Sequence, residues 1–332
     1  MLSRVADSLY WMARYIERAE NNARILDVNF MLTLDAEHSE EPDTQREWLP
    51  ILNTLEDQAL FNKVYPVVNG DTVCDFVTFA SENPNSIRSC IAGARENART
   101  VREYISSEMW ERINSLYLWL NSVEARQLFE TSTIDFYRKI VDSAHQFHGT
   151  TNATLTHGDG WNFLQVGKYL ERADSASRIL DLKYHILLPS GAQVGGDIDA
   201  VQWAAVLKTC SAYEAYCKIY LGGITPSKVA EFLILHDSFP RSIRYCVDQL
   251  DESLHKISGC DGAHFSNEAE RLAGQLRSDL HYETIDRIIK AGLHQYLDRT
   301  QGRLNEIAGA MHKAYCEWQD PDAAQTQSQS QA

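Results

Sequence analysis

A chain of 332 residues with 44% hydrophobic and 23% charged content has the apolar matter for a large core, which excludes disorder for its bulk. The balance of 31 Lys and Arg against 46 Asp and Glu gives a net charge of −15, which speaks against nucleic acid as a partner, because that binding draws on clustered Lys and Arg. The N-terminus interleaves Arg4, Asp7, Arg14, Glu17 and Arg18 with its apolar residues, and no later apolar run approaches the ~18 residues of a membrane span, so a cytoplasmic protein without membrane contact is expected.

The first predicted element is a helix from about Ser3 to Asp35. Leu2, Val5, Leu9, Met12, Ile16, Ala19, Ala23, Leu26 and Phe30 recur in alternating steps of three and four, the seam of a helix packed along a partner. A second helical segment runs from about Arg46 to Tyr65 and stops at Pro66 and the Asn69-Gly70-Asp71 turn. A short helix, roughly Thr72 to Ser81, follows, and Pro84-Asn85-Ser86 opens another, SIRSCIAGARENARTVREYI. SEMWERINSLYLWLNSVEARQLF and STIDFYRKIVDSAHQFHGTTNATL complete the first half, with no strand-like alternation between turns.

The second half repeats this programme. ARYIERAENNARILD (Ala13 to Asp27) returns as GKYLERADSASRILD (Gly167 to Asp181) with 8 of 15 positions identical, and FVTFASENPNSIRSC (from Phe76) returns as FLILHDSFPRSIRYC (from Phe232). The second seam runs through Phe163, Val166, Leu170, Ala173, Ser177, Leu180 and Tyr184. Thr225-Pro226 caps and starts a helix, Gly191 to Asp197 reads as a turn-rich connector, and a last long helix covers Tyr282 to Trp318. Gly292, Gly302 and Gly309 within it are candidates for bends or close packing. The expected architecture is all-α: a tandem duplication of about six helices per half, residues 1–155 and 156–318, packed about a pseudo-twofold axis as one bundle, with a disordered tail at 319–332.

Off the seam, Glu17, Arg18 and Arg24 recur as Glu171, Arg172 and Arg178, and Arg14 as Lys168. Local pairs four residues apart, such as Glu20 with Arg24 and Asp174 with Arg178, are one account of these charges. An ion-pair network between helices, or a cleft for a charged ligand, is the other. Glu17 and Arg18 point about 100° apart, so each is expected to reach a different neighbouring helix. Arg88 and Arg244, in the repeated S-I-R-x-C elements, are candidates for the same network, with snorkelling to water as the alternative. His157 and Asp159, in THGDGWNF, mark a tight interhelix turn or ligand groups at a helix N-terminus.

Phosphate-binding, dinucleotide, nucleophile-elbow and H-E-x-x-H motifs are absent from the sequence, and no cofactor is indicated. His145 and His148, three apart, have the spacing of metal ligands but no third ligand in pattern, so no metal site is assigned. The seven cysteines form no C-x-x-C. Cys90 and Cys246, at matching apolar positions, are expected to be buried free thiols.

YWMARYIERAENNAR and GWNFLQVGKYLERADSASR, with SIR-x-C and AREN-A-R between them, resemble the alpha-E domain, a bacterial all-helical family named for its repeated Glu-Arg motif, over the chain up to about Trp318. The resemblance implies a cytoplasmic helical protein of a family whose genes commonly sit beside, or are fused to, genes for circularly permuted ATP-grasp proteins and transglutaminase-like cysteine peptidases. A role in making or modifying a small peptide or amide-linked product follows from that context. The positions matching the family motif are Glu17, Arg18, Glu171 and Arg172, and the family has no assigned catalytic residues to carry over. The expected function is that of a non-catalytic partner of an ATP-grasp amide ligase, holding the ligase or its peptide substrate. The alternatives are an enzyme with a Glu- and Arg-lined cleft for a carboxylate or phosphate, and a purely structural oligomerising bundle.

Overall fold

The computed structural model describes residues 1–36, 44–186 and 197–317, and among these the regular structure is helical throughout. In chain order the helices are α1 (Ser3–Ala36), α2 (Thr44–Thr54), α3 (Gln58–Val64), α4 (Gly70–Thr78), α5 (Ile87–Thr100), α6 (Ser107–Leu120), α7 (Val123–Thr131) and α8 (Thr133–Thr154). Then come α9 (Asp159–Ile186), α10 (Asp197–Thr209), α11 (Tyr213–Ile219), α12 (Pro226–Leu235), α13 (Ile243–Ser258), α14 (Glu268–Tyr282), α15 (Ile285–Ala291) and α16 (Leu293–Tyr315).

The described helices number 16, more than six per half, because short polar breaks divide segments whose apolar periodicity runs on. The Arg46–Tyr65 segment breaks between α2 and α3, where Glu56 takes a positive φ of 58°. SEMWERINSLYLWLNSVEARQLF breaks at Asn121, and the Ser122 side chain then caps α7 by accepting from the Ala125 amide. The last long segment breaks at Glu283–Thr284 and again at Gly292, whose φ of 98° suits glycine. Gly302 and Gly309 mark neither a bend nor a close approach: both lie inside α16 with open space around them. The expected connector at Gly191 to Asp197 and the expected tail at 319–332 fall outside the described residues, apart from Asp197, the first residue of α10.

The centre of the molecule is the α1–α9 pair. Tyr10 meets Gly167, Arg14 meets Glu171 and Asn21 meets Ser175, so the two helices run parallel and in register. The seam residues Leu9, Met12, Ile16, Ala23 and Leu26 of α1, and Val166, Leu170, Ala173 and Leu180 of α9, are buried. Leu2, at the free end, is exposed. Gly167 permits the close approach, since a Cβ there would stand 2.3 Å from the Tyr10 carbonyl oxygen. Around this pair, α5 and α8 pack on α1 while α13 and α16 pack on α9. α6 bridges α5 and α8, and α14 bridges α13 and α16.

Being wrapped on several sides, α1 and α9 bury polar side chains as well as the seam, including Arg14, Glu17, Glu20 and Asn21 on α1 and Glu171 and Arg172 on α9. Cys90 and Cys246 are buried and free, each with Sγ 3.5 Å from a backbone carbonyl, Asn85 and Pro240 respectively. No described helix is long and apolar enough to cross a membrane.

Candidate functional site

The parallel contact of α1 and α9 exchanges carboxylates for guanidinium groups. Arg18 donates to the two Glu171 oxygens from Nε (2.6 Å) and Nη2 (3.0 Å), and Arg14 adds a bond from Nε at 2.7 Å. In the opposite sense, Arg172 donates to both oxygens of Glu17, at 3.1 Å from Nε and again from Nη2. Each glutamate of the motif therefore binds the arginine of the other copy, in the two-pronged geometry that suits a planar guanidinium. Glu17 and Arg18 both reach α9, because their 100° separation straddles the α1–α9 contact line and arginine is long enough to reach round it, and Glu17 also meets His148 of α8.

A second tier lies one turn further along. Arg24 donates to Glu20 Oε1 from Nε (2.9 Å) and Nη2 (2.7 Å), Arg241 donates to the same oxygen, and His145 Nε2 stands 3.1 Å from it. On α9, Arg178 donates to Asp174 at 2.8 Å and pairs with Glu56 at 2.7 Å. Local pairs and inter-helix pairs thus coexist in one buried array. Burial alone would raise all three glutamates, but neighbouring cations outweigh it. Arg172, His148 and Arg241 hold Glu17 well below the carboxylate range, Arg241 with help from His145 and Arg24 lowers Glu20 despite Glu17 nearby, and Arg14 and Arg18 lower Glu171 to about 2. These acids stay ionised at neutral pH and are poor proton donors or acceptors there.

Arg241 is the residue that the repeat concealed, because its counterpart in SIR-x-C alignment is Asn85. Asn85 accepts from Arg18 Nη1 at 2.7 Å, whereas Arg241 donates to Glu20 and, at 3.3 Å, to Asn21. Arg88 and Arg244 lie apart from the array. Arg88 is exposed and donates to Asn121 at 2.9 Å, and Arg244 reaches the Leu235 carbonyl at 3.4 Å and His281 at 3.5 Å.

A cleft of about 260 Å³ opens beside the Glu17 tier and is lined by His148 and Thr151 of α8 and by Trp161, Gln165, Lys168 and Tyr169 of α9, among others. His148 Nε2 stands 2.8 Å from Glu17 Oε1, so the carboxylate lies behind the imidazole. Burial lowers His148 despite that carboxylate, leaving a neutral ring at pH 7. Burial and then Arg172 lower Lys168 to about 8. His157, exposed, stacks on Trp161 with ring centroids 4.3 Å apart, and Asp159 is an exposed residue of the first turn of α9. His157 thereby touches a residue that lines the cleft.

Two groups of side chains bring metal-ligating atoms within 4.8 Å of one another among the described residues. In the first, Glu17, Glu20 and His148, the oxygens already face Arg24, Arg172 and Arg241, and a divalent cation among guanidinium groups is electrostatically unfit. In the second, Asp7, His312 and Cys316, three donors meet where a structural zinc takes four, and the nearby Glu317 faces the other imidazole nitrogen, Nδ1, at 3.9 Å.

Together these features define an all-helical domain whose Glu-Arg motif is turned inward to fasten its two longest helices, α1 and α9. The match to the family described as a predicted alpha-helical domain with a conserved ER motif covers residues 1–316, and the chain belongs to this Alpha-E family. It is similar to uncharacterized proteins of Mycobacterium tuberculosis and Mycobacterium bovis, at 23% identity over 330 residues, covering 93% of this chain and 36% of theirs. The chain thus spans little more than a third of the length of these relatives, at 36%. No solved structure matches it.

Proposed function

We propose that this chain is a non-catalytic helical partner in a system built on a circularly permuted ATP-grasp amide ligase, where it holds the ligase or its peptide substrate. A transglutaminase-like protein belongs to the same proposed system. The observation that carries this reading is the use of the motif: Glu17 and Glu171 are buried, ionised and bonded to arginines, which makes the Glu-Arg pairs fasteners of the bundle and leaves them no free proton chemistry. A longer relative in which this domain fills 36% of the length is what a module working beside other domains would look like. The proposed body of the partner is a duplicated bundle, with residues 1–155 and 156–318 as halves that meet at α1 and α9.

The test is co-purification of this chain with a circularly permuted ATP-grasp protein of the same organism, followed by an amide-forming assay read as ADP release and product mass. The expected result is a stable complex in which the chain raises product formation while making none alone. Turnover by the chain alone, or neither a complex nor an effect, would overturn the reading.

A second reading, an enzyme acting on a carboxylate substrate in the cleft, is favoured by one contact: a neutral imidazole at the cleft wall with a buried carboxylate behind it, the arrangement that orients a general base. Activity lost in His148→Gln at unchanged melting temperature would favour this reading over the first.

A further inference from the structure

We infer that the cleft beside Lys168 binds a small carboxylate, with the Lys168 ammonium as its counter-ion. Two aligned positions, Arg14 and Lys168, differ in what they bind. Arg14 is satisfied, giving Nε to Glu171 at 2.7 Å and Nη1 to the Tyr10 hydroxyl at 2.9 Å. Lys168 occupies the corresponding place on α9 but forms no ion pair among the described residues. The hydroxyl has gone too, since the position aligned with Tyr10 is Leu164. The carboxylate that would correspond, Glu17, is already taken by Arg172, Arg241 and His148.

The Lys168 ammonium lies 5.0 Å from the centroid of the Tyr169 ring, a cation–π contact, but none of the groups facing it is an anion free to neutralise it. Arg172 and Arg241 repel it, Glu17 is shared, His148 is neutral, and Tyr169 and Cys246 are uncharged at pH 7. A monoanion entering the cleft would supply what is missing. The cleft can take one: Gln165, Asn152 and Gln249 offer neutral amide donors, and Trp161 and Tyr169 flat walls for a short carbon chain, while the Thr151 hydroxyl is spent on the Phe147 carbonyl.

Size narrows the class. At about 260 Å³ the cleft lies below the ~300–1,000 Å³ of pockets for drug-sized ligands and suits a single amino acid or small acyl group. One ammonium with neutral amides matches the charge of a carboxylate. A phosphate dianion is ordinarily met by more than one cation or by a helix N-terminus.

The inference stands on the cleft alone. It survives if the chain works without a ligase, and its failure leaves the partner reading untouched. The experiment measures acylation of Lys168 in the native full-length protein at pH 8, by peptide mass spectrometry, in the presence of N-acetylglycine, glutamate or propionate. N-acetylglycinamide, glutamine, propionamide and inorganic phosphate serve as comparisons, and calorimetry supplies affinities for each.

At least one carboxylate is expected to slow acylation of Lys168 several-fold, leaving other lysines unchanged, while its amide does not. Lys168→Gln should weaken binding of that carboxylate about tenfold or more, and Lys168→Arg should retain it, with melting temperatures establishing that both variants fold. Absence of protection by every carboxylate, equal protection by the amides or by phosphate, or unchanged affinity in Lys168→Gln would overturn the proposal.

Discussion

At the scale of single residues, Glu171 shows what the motif contributes. It is held by Arg14 and Arg18 and has only 3% of its surface exposed, so Glu171→Gln strands two guanidinium groups in the interior and is expected to cost about 3–5 kcal/mol, read as a lowered urea midpoint. Glu17→Gln should cost a similar amount through Arg172 and Arg241. The effect has a pH signature. The Glu171 carboxyl moves from its ordinary 4.5 to about 2 on folding, so its contribution is complete above pH 4.5 and is lost as pH falls from 4.5 through 2. Wild-type urea midpoints should fall more steeply over that window than those of Glu171→Gln. Parallel slopes would show that Glu171 is not held as described. The recurrence of Glu17, Arg18, Glu171 and Arg172 made these residues visible in the sequence. Arg241 was not visible, because the repeat aligns it with a neutral asparagine and only the folded chain carries it to Glu20.

At the scale of elements, the spacing of α1 and α9 depends on the smallest side chain in their contact. A methyl group at Gly167 would meet the Tyr10 carbonyl oxygen at 2.3 Å, and backbone gives way only if the helices part. Gly167→Ala is expected to destabilise by about 1–3 kcal/mol or more and to loosen the Glu-Arg exchange on either side. Gly302→Ala and Gly309→Ala, exposed in the interior of α16 with nothing within 4 Å of the added carbon, should instead stabilise by about 0.5–1 kcal/mol each. Thermal melts of the three variants test the contrast, and a harmless Gly167→Ala would contradict the packing. These glycines look alike as letters, and their opposite roles follow from what stands opposite each in space.

At the scale of the molecule, the fastening across α1 and α9 makes each half incomplete without the other. Residues 1–155 alone would bury Glu17 and Glu20 without Arg172 and Arg241, and residues 156–332 alone would bury Glu171 without Arg14 and Arg18. Each fragment expressed singly is therefore expected to show no cooperative melt, whereas co-expression should restore a soluble complex with a single transition. Two fragments that melt cooperatively on their own would show that the halves are independent domains.

Amino-acid order by itself determined the helical class, the two long central helices and the charged residues worth watching, because seam periodicity and a repeated motif are one-dimensional properties. The Pro84-Asn85-Ser86 stretch announced the next helix as well, although Pro84 lies in the turn before it and the Ser86 side chain caps its start at Ile87. Tertiary structure decided the rest. Whether Glu17 faces water, a ligand or an arginine depends on which helices close around α1, and periodicity assigns one buried face whereas α1 has neighbours on several. Arg88 and Arg244 carry the same sequence signal as Arg18 and Arg172, yet they fall outside the array, since their helices turn them toward Asn121 and His281. The cleft at Lys168 is the clearest case: residues from α1, α8, α9 and α13 form it, and its ammonium lacks an ion pair because Glu17, the carboxylate of α1 that the repeat matches to Glu171, is already bonded to other groups.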